Sequence, residues 1–214
     1  MHKYILLGVQ GSGKGTQSKR LVQEHDLVHI SVGDIFRWHI QSHTKMGARI
    51  KRLVAAGQLV PDSTVEEVVR SRLNLHDWNY GFLLDGFPRN REQAEFYLES
   101  YDCDAVIHLA VPDEHVMTRI TNRRLCSKCG LDYNLLAHRP NTPDVCDVCG
   151  GALVARADDK PDAIQARLRD YRTKTEPTLQ MFRKRGLVVE VDATRSAEEV
   201  YQDLCRELGL GKKG

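Results

Sequence analysis

Four glycines, a lysine and a threonine share the nine residues Gly8-Val9-Gln10-Gly11-Ser12-Gly13-Lys14-Gly15-Thr16. Glycines let backbone N–H groups turn inward around an anion, and the N-terminus of a following helix adds its partial positive charge. A lysine at the G-x4-G-K position supplies a full charge for the outer phosphates, and a nearby hydroxyl can reach a magnesium ion. The apolar run 4–7 reads as a buried strand before the loop, and 16–24 reads as a helix behind it. Strand, loop and helix together predict a nucleoside triphosphate site.

A second cluster lies in Cys126-x2-Cys129 and Cys146-x2-Cys149, two pairs separated by sixteen residues. Each pair can turn two thiolates toward one point, as in a zinc ribbon. Four thiolates around a tetrahedral ion leave no open position, so the expected role is structural. Gly130 and Gly150 follow the second cysteine of each pair and suit tight knuckle turns. The spacing leaves zinc, iron and cobalt open. Two disulfides or free thiols are the alternatives, and the reducing compartment expected of a chain without a signal peptide argues against the former. So small a module has too little core to fold unaided, and the ion is expected to supply much of its stability. Cys103 and Cys205 stand alone and read as packing residues.

Phosphoryl chemistry needs charge neutralised over several phosphates, which arginines do through planar, bidentate hydrogen bonds. Arg89 follows Asp85-Gly86-Phe87-Pro88 after a buried strand. Arg119, Arg123 and Arg124 lead into the cysteine region, and Arg156 and Arg167 stand at its far end and just beyond. Taken singly, each reads as a solvated surface residue; placement at both ends of an insert and at a strand end marks them. Asp85 ends an apolar strand, where an acid can hold magnesium or its waters.

The elements that must position these groups show as apolar runs at 4–7, 28–30, 82–84, 105–109 and 187–191, alternating with helix-length amphipathic segments. They predict an α/β fold, a five-stranded parallel sheet flanked by helices on both faces. Ligands in such sheets sit at strand carboxyl ends. The glycine loop, Asp85 and the residues after 191 are therefore expected at one cleft. Helix starts are marked by Ser31 with Asp34, by a capping box of Ser63 with Glu66, and by Lys160-Pro161-Asp162, whose helix places Ile164, Leu168 and Tyr171 on one face. Pro177 is expected to kink or end that helix. Residues 122–159 break the pattern and read as an inserted module, and 211–214 as a frayed tail. A formal net charge of +2 over 214 residues argues against nucleic acid as the main partner. No apolar run approaches the ~20 residues that cross a bilayer. The expectation is a cytoplasmic monomer acting on small molecules.

With these residues assembled, the chain resembles the adenylate kinases, in particular their long, metal-containing bacterial type, over nearly its whole length. Residues 8–17 resemble that family's G-x-P-G-x-G-K-G-T-Q. Ile30-Ser31-Val32-Gly33-Asp34-Ile35-Phe36-Arg37 resembles its nucleoside-monophosphate segment, and Gly81-Phe82-Leu83-Leu84-Asp85-Gly86-Phe87-Pro88-Arg89, with Gln93, is similar to its signature. The resemblance implies a P-loop core (1–30, 61–121 and 160–214), an AMP-binding flap (31–60) and a zinc-ribbon-like lid (122–159). It implies that ATP is held by Lys14 and the loop residues Gly11, Ser12, Gly13, Gly15 and Thr16, with Arg119 and Arg123 from the lid hinge. Asp132 and Tyr133 would close over ATP, and Arg195 would lie near its base. Arg37, Arg89, Arg156 and Arg167 would surround the AMP phosphate and the transferring group. Val32, Gln58, Leu59, Val60 and Gln93 would frame the AMP base, beside Gly86, Phe87 and Pro88. The implied reaction is reversible, magnesium-dependent transfer from ATP to AMP, giving two ADP. The acceptor is already an anionic oxygen, so no general base is required, and His25 and His29 read as bystanders.

The departures concern Gln10, where the family loop has proline; Val32, where many members have threonine; and Ala193, where a glycine is frequent. Gly15 stands where a general P-loop has Ser or Thr, with Thr16 one residue later, which follows the family. Alternatives in the same class are a GTP donor or a UMP/CMP acceptor, and the thirty-eight residues of 122–159 argue against the short-lidded UMP/CMP relatives. A P-loop protein whose zinc ribbon binds nucleic acid is the alternative from another class. Against it, five Lys/Arg balance five Asp/Glu in that segment and Tyr133 is its only Phe, Trp or Tyr. A protein that binds nucleotides without turnover has no support, since every charged residue of the resemblance is present.

Overall fold

Tyr4 and Leu6 face one way from the first strand, and Ile5 and Leu7 the other, yet all four are buried. A strand apolar on both sides must lie inside a sheet covered on both faces. In the computed structural model, which describes residues 1–156 and 159–211, that strand is β1 (Lys3–Leu7), at the centre of five. The others are β2 (Leu27–Ser31), β3 (Gly81–Asp85), β4 (Ala105–Ala110) and β8 (Val188–Asp192), in the order β2-β3-β1-β4-β8 and all parallel. Each matches the apolar run expected of it, β8 starting one residue after the run at 187–191. Beyond residue 211, the expected frayed tail lies outside the described residues, as do 157 and 158 of the expected insert.

One face packs on α1 (Lys14–His25), α6 (Asp113–Thr121) and α9 (Ala197–Glu207), through Leu21, Val116, Ile120, Val200 and Leu204. The other packs on α4 (Asp62–Asn74), α5 (Arg91–Ser100) and α8 (Leu179–Arg183), through Val69, Leu73, Ala94, Tyr97 and Phe182. The helices α2 (Val32–Gln41) and α3 (Lys45–Ala55) extend from this second face. Gly47 lets them touch: a Cβ there would lie 2.1 Å from the His39 carbonyl oxygen. A separate antiparallel sheet, β6-β5-β7, comprises β5 (Arg123–Cys126), β6 (Asp132–Asn134) and β7 (Leu153–Val154).

Two local expectations need correcting. The capping box of Ser63 and Glu66 does not form: α4 starts at Asp62, with Pro61 as its N-cap and no side-chain cap bond. Pro61 sets the extended entry, and Asp62 accepts from Asn90 and Gln93 instead of closing the helix end. Ser31 does cap α2, accepting from the Asp34 amide, whereas the Asp34 carboxylate turns to Arg37. The helix α7 (Pro161–Asp170), with Ile164 and Tyr171 buried as expected, neither stops nor simply bends at Pro177. It widens into a π turn over Tyr171–Thr175, tightens to a 3-10 turn over Glu176–Thr178 and resumes as α8. Proline lacks an N–H and its ring crowds the carbonyl four residues back, so the bonding pattern shifts around it.

Candidate active site

The chain order jumps across the sheet at β1, whose neighbours β3 and β4 lead to opposite sides, and a crevice opens at the carboxyl ends there. The loop after β1 enters it. Gly13, the N-cap of α1, has φ 98°, which the glycine tolerates and other residues resist, and the first amides of α1 face the crevice. Lys14 Nζ donates to the carbonyls of Gly8 at 2.6 Å and Val9 at 3.0 Å, curling over the loop. Burial pushes this ammonium down to about 8; Asp85 opposes the shift, and Arg89, Arg123 and Arg156 add to it. Those four groups come from distant parts of the chain, and the lysine feels all of them.

The cleft is about 1130 Å³, and its walls include Gly11, Ser12, Gly13, Lys14, Gly15 and Thr16 from the loop. Asp85 enters from the end of β3, and His29 Nε2 stands 3.6 Å from its Oδ2. His29, expected to be a bystander, is thus a cleft residue beside the acid; its place on β2, two residues before Ser31, was the available signal. Gly86 and Pro88 line the cleft, and Arg89 is held there by Nε donating to the Gly86 carbonyl at 2.8 Å. Gln93 braces that turn: Oε1 accepts from the Arg89 amide at 2.8 Å and Nε2 donates to Asp62 at 2.6 Å. Both ends of its carboxamide are engaged within the protein. Phe87, expected beside the AMP base, is instead fully buried in the core against Phe96 and Tyr97. Between two cleft-lining residues, the chain turns this apolar side chain inward.

From the second face, Val32, Arg37, Gln58, Leu59 and Val60 line the same cleft. Arg37 pairs with Asp34. From the other direction come Arg119, Arg123, Arg156 and Arg167. Arg119 lies between the carbonyls of Ser12 at 3.5 Å and Thr194 at 3.3 Å. Arg123 grips Asp159 with two bonds, Nε to Oδ2 at 2.9 Å and Nη2 to Oδ1 at 2.6 Å. Arg167 reaches Gln10 Oε1 at 3.0 Å and the Val54 carbonyl at 3.3 Å. Arg124 folds onto the carbonyls of Thr121 and Arg123. Asp132 Oδ2 lies 3.6 Å from Lys19 Nζ, which brings the small sheet over α1. Arg195 pairs with Asp203 and Asp192 at the rim. Ala193 and His138 also line the cleft.

Tyr133, expected to close over ATP, lines the cleft but commits its hydroxyl to the cysteines. That hydroxyl donates to Cys146 Sγ at 3.5 Å and accepts from the Asp147 amide at 2.8 Å, and the ring stacks on His138 with centroids 5.0 Å apart. The four sulfurs of Cys126, Cys129, Cys146 and Cys149 lie within 4.8 Å of one another, with no disulfide among them. Two separations are 3.4 Å and 3.7 Å, against about 3.8 Å for a tetrahedron with Zn–S bonds of about 2.3 Å. Lys128 and Cys129 amides point at Cys126 Sγ, and the Tyr133 bond draws the Cys146 thiol down to about 6. The donor set fits a tetrahedral thiolate-binding ion. Among the described residues, the small sheet's core comprises Cys126, Tyr133, Cys146 and Leu153, with Leu131 against them.

A five-stranded parallel sheet, a glycine loop with its lysine and converging arginines define the class: a P-loop nucleotide-binding fold equipped for phosphoryl groups. The family model described as adenylate kinase matches residues 6–187. The chain is 39% identical over 212 residues to an adenylate kinase of Thermoanaerobacter sp. (strain X514), covering 97% of this chain and 98% of that one. It is 40% identical over 210 residues to one of Clostridium tetani, covering 96% and 97%. To one of Archaeoglobus fulgidus it is 41% identical over 205 residues, 94% of each chain. The chain belongs to the adenylate kinase family, and is accordingly a phosphotransferase whose acceptor is itself a phosphate group.

Proposed function

We propose that this protein transfers the γ-phosphoryl group of ATP reversibly to AMP, giving two ADP, in the cleft between the phosphate loop, the α2–α3 pair and the cysteine module. The observation that carries the reading is the convergence of Lys14, Asp85, Arg89, Arg123, Arg156 and Arg167 on one cleft. Lys14 and the loop amides hold the ATP phosphates, while Arg119 and Arg195 flank the base side and Arg123 faces the phosphates. Arg37, Arg89, Arg156 and Arg167 receive the AMP phosphate, whose base lies along Val32, Gln58, Leu59 and Val60. Asp85 offers a hard oxygen at the strand end, suited to magnesium through water, with the Thr16 hydroxyl nearby in the loop. Magnesium, when bound, neutralises phosphate charge as the bond to the leaving oxygen lengthens. The protein supplies positioning and fixed positive charge, with no base needed for an acceptor already ionised. Residues 31–60 act as a flap and 122–159 as a lid, shutting out the water that would otherwise take the phosphoryl group. The cysteines hold a structural zinc ion, and the protein works as a soluble monomer.

Phosphoryl transfer from ATP with magnesium, compared across AMP, GMP, UMP and CMP, tests the reading. Preference for AMP is expected. Preference for another base would relocate the error to Val32 and its neighbours, and transfer to none of them would overturn the reaction.

A further inference from the structure

Gln10 stands half-buried in the phosphate loop between Gly8 and Gly11. Both ends of its carboxamide meet charged groups from elsewhere in the chain. Nε2 donates to Asp159 Oδ1 at 2.8 Å, and Oε1 accepts from Arg167 Nη1 at 3.0 Å. Asp159, whose side chain is only 5% exposed, is held from its other side by the two bonds from Arg123. Arg167 continues to the Val54 carbonyl of α3. One hydrogen-bonded run therefore crosses the cleft, from α3 through Arg167, Gln10 and Asp159 to Arg123 on β5.

A carboxamide is the group this place demands. It must donate to an anion and accept from a cation at the same time. A carboxylate here would repel Asp159, an ammonium would repel Arg167, and an apolar side chain would leave both partners short of a bond. The proline of the loop pattern that this segment resembles could make neither contact. The two arginines that Gln10 connects, one directly and one through Asp159, come from different elements, Arg167 from α7 and Arg123 from β5.

We propose that Gln10 is a positioning residue for phosphoryl transfer. It sets the spacing of Arg123 on the ATP side and Arg167 on the AMP side, and ties the lid and flap to the phosphate loop. The inference rests on the roles proposed above for those two arginines. A phosphate entering the cleft meets an arginine already aimed, and losing the bridge removes one restraint on the placement of each arginine, with a cost that appears in the rate.

Steady-state kinetics on the full-length protein, varying ATP and AMP separately, test this with Gln10→Met, Gln10→Glu and Gln10→Lys. Gln10→Met removes both bonds at nearly constant volume, and kcat is expected to fall about tenfold with the thermal midpoint within about 3 °C of the parent. Gln10→Glu keeps the bond to Arg167 and repels Asp159, so KM should rise chiefly for ATP. Gln10→Lys keeps the bond to Asp159 and repels Arg167, so KM should rise chiefly for AMP. This split between the two KM values is independent of whether Gln10→Met is stable. A kcat for folded Gln10→Met within about twofold of the parent, or equal KM rises for both nucleotides in the two charged variants, would overturn the proposal. Arg123→Met and Arg167→Met, assayed alongside, separate the two readings. Parental constants in both would sink the arginine roles themselves, whereas impairment there with unaffected Gln10 variants would sink the bridge alone.

Discussion

Lys14 is the residue whose chemistry is most exposed to pH. With its ammonium pushed down to about 8 by burial, it is charged below that pH in the free protein and neutral above. A triphosphate binds the charged form, so affinity for ATP should weaken as pH rises through about 8, with binding accompanied by proton uptake there. Calorimetry in two buffers of different ionisation enthalpy measures that uptake; proton release at pH 8 would contradict it. Phe87 is a second residue-scale case. It sits within the signature that carries the resemblance, yet its ring is in the core. Phe87→Ala should cost about 3–5 kcal/mol of stability. Its KM for AMP should stay within about twofold of the parent at temperatures where the variant is folded. Denaturant unfolding and kinetics check the two halves, and a large KM change with intact stability would restore Phe87 to the site. Residue types and spacing disclosed which groups can do chemistry, but the direction in which Phe87 and the Tyr133 hydroxyl point depends on packing that no spacing encodes.

At the scale of elements, Gly47 and the cysteine quartet decide how the two appended parts hold together. A Cβ at Gly47 would overlap the His39 carbonyl, so Gly47→Ala must push α2 and α3 apart. We expect a loss of about 1–3 kcal/mol and a raised KM for AMP with a smaller change in KM for ATP, read by thermal unfolding and kinetics. Among the described residues, the cysteine module has a core of four, two of them cysteines. Its ion is therefore expected to contribute folding energy on the order of 10 kcal/mol. Metal analysis should return one ion per chain. Cys146→Ser or a strong chelator should abolish protection of 123–154 against hydrogen exchange while β1, β3 and β4 stay protected. Unchanged protection after metal loss would show that the module folds without it. The sequence made the five core strands readable because each is a short apolar run bounded by turns. The passage from π turn to 3-10 turn near Pro177 was not readable, because several bonding patterns satisfy a proline and neighbouring helices choose among them.

For the whole molecule, the consequence of the proposed lid and flap is kinetic. The small sheet approaches α1 through Asp132 and Lys19, and α3 approaches α7 through Val54 and Arg167. With 31–60 and 122–159 closing over the cleft as proposed, product would leave once these contacts part, so opening should limit turnover. Single-turnover quench-flow should give a chemical rate clearly above the steady-state rate; equal rates would place the limit in the chemistry. By itself the sequence determined the parallel α/β core, the phosphate loop, the cysteine quartet and the set of cations available to the reaction. These follow from local rules: apolar periodicity, glycine at turns, cysteine spacing. Only the tertiary structure decided which partners those cations take, that His29 stands beside Asp85, and that Gln10 lies between Asp159 and Arg167. The two Gln10 contacts join residues 149 and 157 positions apart in the chain, and they exist only once the sheet has brought its strand ends together.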